Sequence, residues 1–182
     1  MRITFRLFAV VLLASAAPAT AQTVDPAKSQ ISFGFKQENV PGEGKFRKFT
    51  AQVSFDSAKP EATRASIEVD VGSVDLGDAD WNNSIRGALW FNTREFPKAT
   101  FVVSGAKALG SGRFEAPAKF TLKGVTRDSI ATFTATADAG GTLLEGAVPL
   151  KRIDYKIGDG MWADTTVVAN DVAVRFKVYL KK

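Results

Sequence analysis

Along most of the chain, apolar and polar residues alternate with a period of two. Ile31, Phe33 and Phe35 share a face against Ser32, Gly34 and Lys36; Phe49, Ala51, Val53 and Phe55 repeat the pattern, as do Ala65, Ile67, Val69 and Val71. Successive side chains of a strand point to opposite faces, so each run predicts a half-buried strand. Further candidates cover Thr100 to Ser104, Arg113 to Leu122, Asp128 to Ala137 and Thr142 to Leu150. Gly110-Ser111-Gly112, Lys123-Gly124 and Gly140-Gly141 separate them, residues that tolerate the backbone angles of tight turns. Phe46 is out of phase with Phe49, which places a bulge or a new strand at Arg47 and Lys48. The last run, through Val172, Val174, Phe176, Val178 and Leu180, extends back to Val167 and Val168. That makes about 14 residues and about 45 Å, a length that suits a curved barrel wall.

One segment breaks the period. Within Asp75 to Phe101, Trp81, Ile85 and Leu89 fall at i, i+4 and i+8, while Asn82, Asn83 and Arg86 point elsewhere; this predicts a short amphipathic helix with one apolar face. Asp78 or Asp80 is placed to cap its first turn, and Asn92 and Pro97 to end it before the strand at Thr100. The expected fold is all-β, an antiparallel eight-stranded barrel with this helix covering one end. The outward positions carry Lys36, Gln52, Arg64, Glu68, Asp70, Arg175 and Lys177, which argues against a barrel facing lipid.

Composition narrows the chemistry. Residues 1–21 place Arg2 and Arg6 ahead of an apolar run from Leu7 to Ala17 and end on Ala19-Thr20-Ala21, the pattern of a cleaved secretory signal. The run is about eleven residues, short of the about 20 that a membrane helix needs. Removing 21 of the 182 residues leaves 161, one domain by length. The leader holds two of the 24 Lys and Arg and none of the 19 acids, so the remainder carries +3 without a basic block; nucleic acid is not an expected partner. There is no Cys and no His, which excludes disulfides, thiol or Ser-His-Asp catalysis and the common zinc sites.

The 14 Phe and three Trp admit two readings, a filled core or a ring-lined cavity, because a barrel of eight strands has room for packed side chains or one small ligand. Asp75, Asp78 and Asp80 form the tightest acid cluster; they lack the spacing, Gly and distal Glu of a calcium loop and read as helix caps. Arg86 reads by default as an ion-pair partner of an Asp one or two turns back, with an anionic head group as the alternative. Asn82-Asn83-Ser84 matches a glycosylation sequon but sits inside the helix. Gly158-Asp159-Gly160 before Met161-Trp162 reads as a turn with a hydrophobic cover, either a mobile lid or a static loop.

Several ordered stretches carry a resemblance. They are Val24-Asp25-Pro26 through Ser29-Gln30-Ile31-Ser32-Phe33; Gly44-Lys45-Phe46 with Phe49 and Val53-Ser54-Phe55-Asp56; Ile67-Glu68-Val69 before Gly72-Ser73-Val74-Asp75; Phe96-Pro97-Lys98-Ala99-Thr100-Phe101; Phe120-Thr121-Leu122-Lys123-Gly124-Val125-Thr126; and Leu150-Lys151-Arg152. From about Val24 to Lys181 the chain resembles the YceI-like family, bacterial exported proteins with a lipocalin-like barrel that bind polyisoprenoid lipids. The resemblance implies a non-enzymatic periplasmic lipid-binding protein with no cofactor and no metal. Many members carry His where this chain has Gln37, Lys123 and the Trp81-to-Trp90 helix, so any role of those histidines is absent. The segment with Trp81, Arg86-Gly87 and Leu89-Trp90-Phe91-Asn92 is similar to a subgroup found near or fused to membrane b-type cytochromes. That implies an isoprenoid quinone ligand, a cytochrome partner and room for a homodimer. The expected lining is Phe33, Phe35, Phe46, Phe49, Trp81, Ile85, Leu89, Phe101 and Phe120, with Arg86 at the head group. Two other classes stay open: a filled-core protein that docks on a membrane cytochrome, and a hydrolase or isomerase using Asp75, Asp78 or Asp80.

Overall fold

The structure, a computed structural model, describes residues 21–182; the expected secretory signal, apart from Ala21, lies outside the described residues. Eleven strands form one antiparallel sheet: β1 (Gln30–Gln37), β2 (Val40–Phe46), β3 (Phe49–Ser54), β4 (Arg64–Asp70), β5 (Val74–Asp75), β6 (Lys98–Ser104), β7 (Lys107–Gly110), β8 (Arg113–Leu122), β9 (Val125–Ala137), β10 (Gly141–Lys151) and β11 (Asp171–Lys181). They lie in the order β3-β4-β6-β8-β9-β10-β11-β1-β2-β5, with β7 beside β8. The turns Glu38-Asn39 and Lys123-Gly124 have left-handed residues at both centres, with φ of 49° and 65° and of 46° and 73°, the geometry that matches the twist of paired strands. At Gly124 a Cβ would also fall 2.7 Å from the Phe96 ring.

β2 and β3 are separated only by Arg47 and Lys48, yet they lie near opposite ends of the sheet path. The sheet therefore curls on itself. The bonds from Arg47 N to Ser73 O (3.1 Å) and from Asp70 N to Lys48 O (3.0 Å) extend the β2–β5 and β3–β4 pairings, each at its own end. The chain at Arg47-Lys48 and the bond from Lys48 N to Ser73 Oγ (3.0 Å) cross between the ends, while no ladder among the described residues joins β2 to β3. The barrel is curled and incompletely closed.

The strand count corrects the expected eight. β7 is exposed throughout, β5 has two residues, and β2, with the sequence VPGEGKF, carries Pro and Gly that read as turn chemistry. The phase slip at Arg47 and Lys48 is a new strand. The last strand is also shorter than its pattern, 11 residues from Asp171, because the chain breaks at Ala169 and Asn170. Their carbonyls accept from Arg152 Nε (3.1 Å) and Arg152 N (2.8 Å), and Val168 bridges Gln37 instead.

The single α-helix of the described residues, α1 (Ala79–Arg86), is shorter than its apolar pattern. Asp78 caps it, its carboxylate accepting from the N–H groups of Asp80 and Trp81, both at 2.9 Å. After Gly87 the chain turns back on itself: Phe91 N donates to Ile85 O and Thr93 N to Arg86 O, so Leu89 is not on the helix.

Both readings of the aromatic core hold, at different heights. Phe114 and Phe120 face inward on β8 six residues apart, about 20 Å along a strand. Around Phe114, the rings of Phe55 and Phe133 pack at 5.1 and 5.4 Å and fill one end of the barrel. Around Phe120 the barrel is hollow.

Candidate ligand cavity

The hollow end holds a cavity of about 360 Å³, within the range of sites that bury a small molecule. Inward parity builds its wall: Phe33 and Phe35 from β1, Phe46 from β2, Phe101 from β6, Phe120 from β8, Val148 and Leu150 from β10, and Val172, Val174 and Phe176 from β11. Two glycines of β2 give the rings their place. Gly44 pairs with Phe33 and Gly42 with Phe35; a Cβ on Gly42 would fall 2.5 Å from the Phe35 ring, and one on Gly44 would overlap Phe33 and sit 2.7 Å from Leu76. The rings lie over bare backbone instead of projecting into the cavity. Phe33 then meets Phe46 at 5.4 Å and the edge of Phe91 at 6.2 Å.

Two segments cover the end. Leu76, Trp81, Ile85, Trp90 and Phe91 come from the stretch around α1, and Arg152, Ile157, Trp162 and Val168 from the connection between β10 and β11. Phe33, Phe101 and Phe120 are buried, whereas Phe35, Phe46, Ile85, Phe176 and Trp162 are half-buried and Trp81 is exposed. Solvent therefore reaches the rings past α1.

Arg152 latches the cover. It is 2% exposed and has no acid partner among the described residues; its guanidinium donates to backbone carbonyls alone. Nη1 meets Ile157 O (2.9 Å) and Gly158 O (3.1 Å), Nη2 meets Trp162 O and Val168 O (both 2.7 Å), and Nε meets Ala169 O. Burial lowers its pKa from the ordinary arginine value. The Trp90 ring lies 5.9 Å from the guanidinium and 5.5 Å from Trp162. The Gly158 and Asp159 N–H groups donate to Leu89 O, at 2.9 and 2.8 Å. Lys123 Nζ bridges Ala88 O (2.9 Å) and Lys156 O (2.7 Å), and desolvation lowers its pKa. The Gly158-Asp159-Gly160 turn is thus tied into the cover on both sides.

Of the residues expected at the site, Phe33, Phe35, Phe46, Trp81, Ile85, Phe101 and Phe120 meet around the cavity. Three do not. Phe49 starts β3 opposite Val69 and packs against the core outside the cavity. Leu89, beyond the end of α1, is 46% exposed. Arg86 donates to Gly72 O (2.9 Å) and Val74 O (3.1 Å), pinning α1 to the chain before β5, and it takes neither the expected acid partner nor a place in the cavity wall. The sequence reading missed Trp90, Trp162, Phe176 and Arg152. Parity offered a signal for the last of these, since Arg152 continues the inward series Val148, Leu150.

The acids separate by role. Asp75, 7% exposed, accepts from Gly77 N (3.0 Å) and from Arg47 Nη2 (2.8 Å) and Nε (3.1 Å); the Gly77 N–H first and Arg47 second hold its carboxyl below the usual aspartate value. It ties the end of β2 to the start of the helix segment. Asp78 caps α1. Asp80 is exposed at the cavity mouth.

Known proteins share this architecture. The chain is 33% identical over 120 residues to a UPF0312 protein of Azotobacter vinelandii, 63% of this chain and 62% of that one, and so spans about three-fifths of the length of such relatives. The crystal structure of Burkholderia cenocepacia BcnA matches with a TM-score of 0.85 and 38% identity over 87% of this chain and all of that one. A polyisoprenoid binding domain from Saccharophagus degradans shares the fold, with a TM-score of 0.71 and 20% identity over 90% and 99% of the two chains. The profile of the YceI-like domain matches residues 22–180, the whole curled sheet together with its cover, and the chain belongs to the YceI-like domain family.

Proposed function

We propose that this protein sequesters or carries a polyisoprenoid lipid, with an isoprenoid quinone as the finer assignment, in the periplasm. The observation that carries the reading is a cavity walled by half-buried rings and aliphatic side chains, with only Gln37, Asp80, Ser84 and Arg152 as polar or charged neighbours. Apolar surface left in contact with water inside a barrel is unfinished core, and a long apolar ligand completes it. Burial contributes about 0.8 kcal/mol per CH₂ relative to water, so a prenyl tail binds without an ionic anchor. Transfer from a bilayer into this wall is nearly neutral, which suits shuttling or storage. The name of the Saccharophagus degradans neighbour, a polyisoprenoid binding domain, supports the same ligand class, and the secretory pattern of residues 1–21 supports the compartment. A docking protein with a filled core fits less well, because the end under α1 is hollow. Native mass spectrometry of protein purified from its own periplasm is expected to show a prenyl-lipid adduct. An unliganded mass, together with no quinone uptake from vesicles, would overturn the assignment.

A further inference from the structure

A buried arginine beside an isoprenoid-sized cavity invites the reading of a diphosphate clamp. The geometry points the other way: we propose that the cavity selects prenyl lipids with an uncharged head, an alcohol or a quinone, and rejects their phosphorylated forms. This rests on the carrier reading above and names the ligand class of the same site.

A guanidinium has five N–H donors in one plane. In Arg152 they are spent on the carbonyls of Ala169, Ile157, Gly158, Trp162 and Val168, all within 3.1 Å. The ring of oxygens closes the in-plane approach that a phosphate uses for forked hydrogen bonds, and Trp90 stands 5.9 Å from the guanidinium. To bind a phosphate, Arg152 would have to release carbonyls, three of them in bonds shielded from solvent, that would then lack donors. Two other cations of this end also donate to the main chain. Arg86 is held by Gly72 O and Val74 O, and Lys123 by Ala88 O and Lys156 O. The remaining charge on the cavity wall is Asp80, whose carboxylate stands at the mouth outside every ion pair of the described residues and repels an entering anion. A multiply charged head desolvated there would find no uncommitted cation on the wall to replace water. An alcohol or quinone oxygen needs one or two neutral partners. Gln37 and Ser84 line the same cavity and provide an amide and a hydroxyl.

All three tryptophans of the chain, Trp81, Trp90 and Trp162, line this cavity, so intrinsic fluorescence reports its occupancy directly. The experiment titrates the purified protein with geranylgeraniol, geranylgeranyl diphosphate and a short-chain prenylquinone, each below its micellar concentration, and repeats the comparison as a native mass spectrometry competition between equimolar alcohol and diphosphate. The alcohol and the quinone are expected to perturb the fluorescence at similar concentrations. The diphosphate is expected to need at least about tenfold more, and the alcohol adduct to dominate the competition. Equal or tighter binding of the diphosphate overturns the selectivity and leaves the carrier reading standing; silence toward all three ligands overturns the carrier reading and this inference with it.

Discussion

Replacing Arg152 by Met keeps much of the side-chain volume and removes the guanidinium bonds to the cover and its flank. Three of its bonds, to Ile157, Gly158 and Val168, are shielded from solvent, and leaving those oxygens unpaired costs about 1–3 kcal/mol each. The loss is opposed by relief of the guanidinium's own desolvation, which in real proteins amounts to several kcal/mol. A net destabilisation of about 3 kcal/mol is therefore expected, and at about 2–4 °C per kcal/mol for a domain of this size it lowers the Tm by about 6–12 °C. Thermal unfolding followed by circular dichroism measures the shift. Hydrogen exchange locates it: the Gly158 and Asp159 amides, which donate to Leu89 O, are expected to lose protection before the strands do. Arg152→Lys is expected to recover only part of the loss, because one ammonium has three donors and no fork. A Tm within about 2 °C of the parent, with those two amides still protected, would refute the latch.

Phe101→Ala enlarges the cavity and is expected to cost about 3–5 kcal/mol of stability while weakening prenyl uptake, whereas Leu89→Ala is expected to leave uptake unchanged; tryptophan fluorescence titrations beside thermal melts separate the two effects, and loss of uptake in Leu89→Ala would place the mouth wrongly. Gly44→Val adds a side chain against Phe33 and Leu76 and is expected to push the Phe33 ring into the cavity, at about 1–3 kcal/mol for overpacking; a folded variant that loads ligand like the parent in native mass spectrometry contradicts the role given to bare β2 backbone. Folded-state carboxyls of Asp75, held down by the Gly77 N–H and then Arg47, and of Asp138, held down by the Tyr179 hydroxyl and then the Gly140 N–H, titrate below their unfolded values. Protons then bind the unfolded chain first, so this contribution is complete above the unfolded carboxyl pKa and is lost as pH falls through the folded one. With no His in the chain, the Tm is expected to be level from about pH 5.5 to 8 and to drop below about pH 4, less steeply in Asp75→Asn; a step between pH 6 and 7 counts against the assignment.

Strand parity was the most legible feature. The pattern from Arg113 to Leu122 is β8 residue for residue, because both of its faces have clear solvents, core on one side and water on the other. β2 was illegible for the opposite reason: two of its inward positions, Gly42 and Gly44, are glycines, and their partners Phe35 and Phe33 supply the apolar surface from the neighbouring strand. The helical period overran α1 because Leu89 continues the spacing after Gly87 has ended the helix, and spacing alone carries no stop. Most of the ring-lined wall followed from inward parity. Arg152 lies on the same parity, but burial of a charge without a counter-charge runs against composition rules and becomes sensible only when the carbonyls that surround it are in view.

Because Arg152 recognises main-chain oxygens only, the cover is specified mainly by the path of its backbone, with Gly158, where a Cβ would overlap the guanidinium, the position that must stay bare. The carbonyl of Trp162 holds the latch while its indole faces the ligand space. The two ends of one residue thus answer to different demands. Substitutions along the cover can reshape the pocket and retune ligand choice without unfastening the loop, so the fold separates what must stay fixed from what is free to diversify.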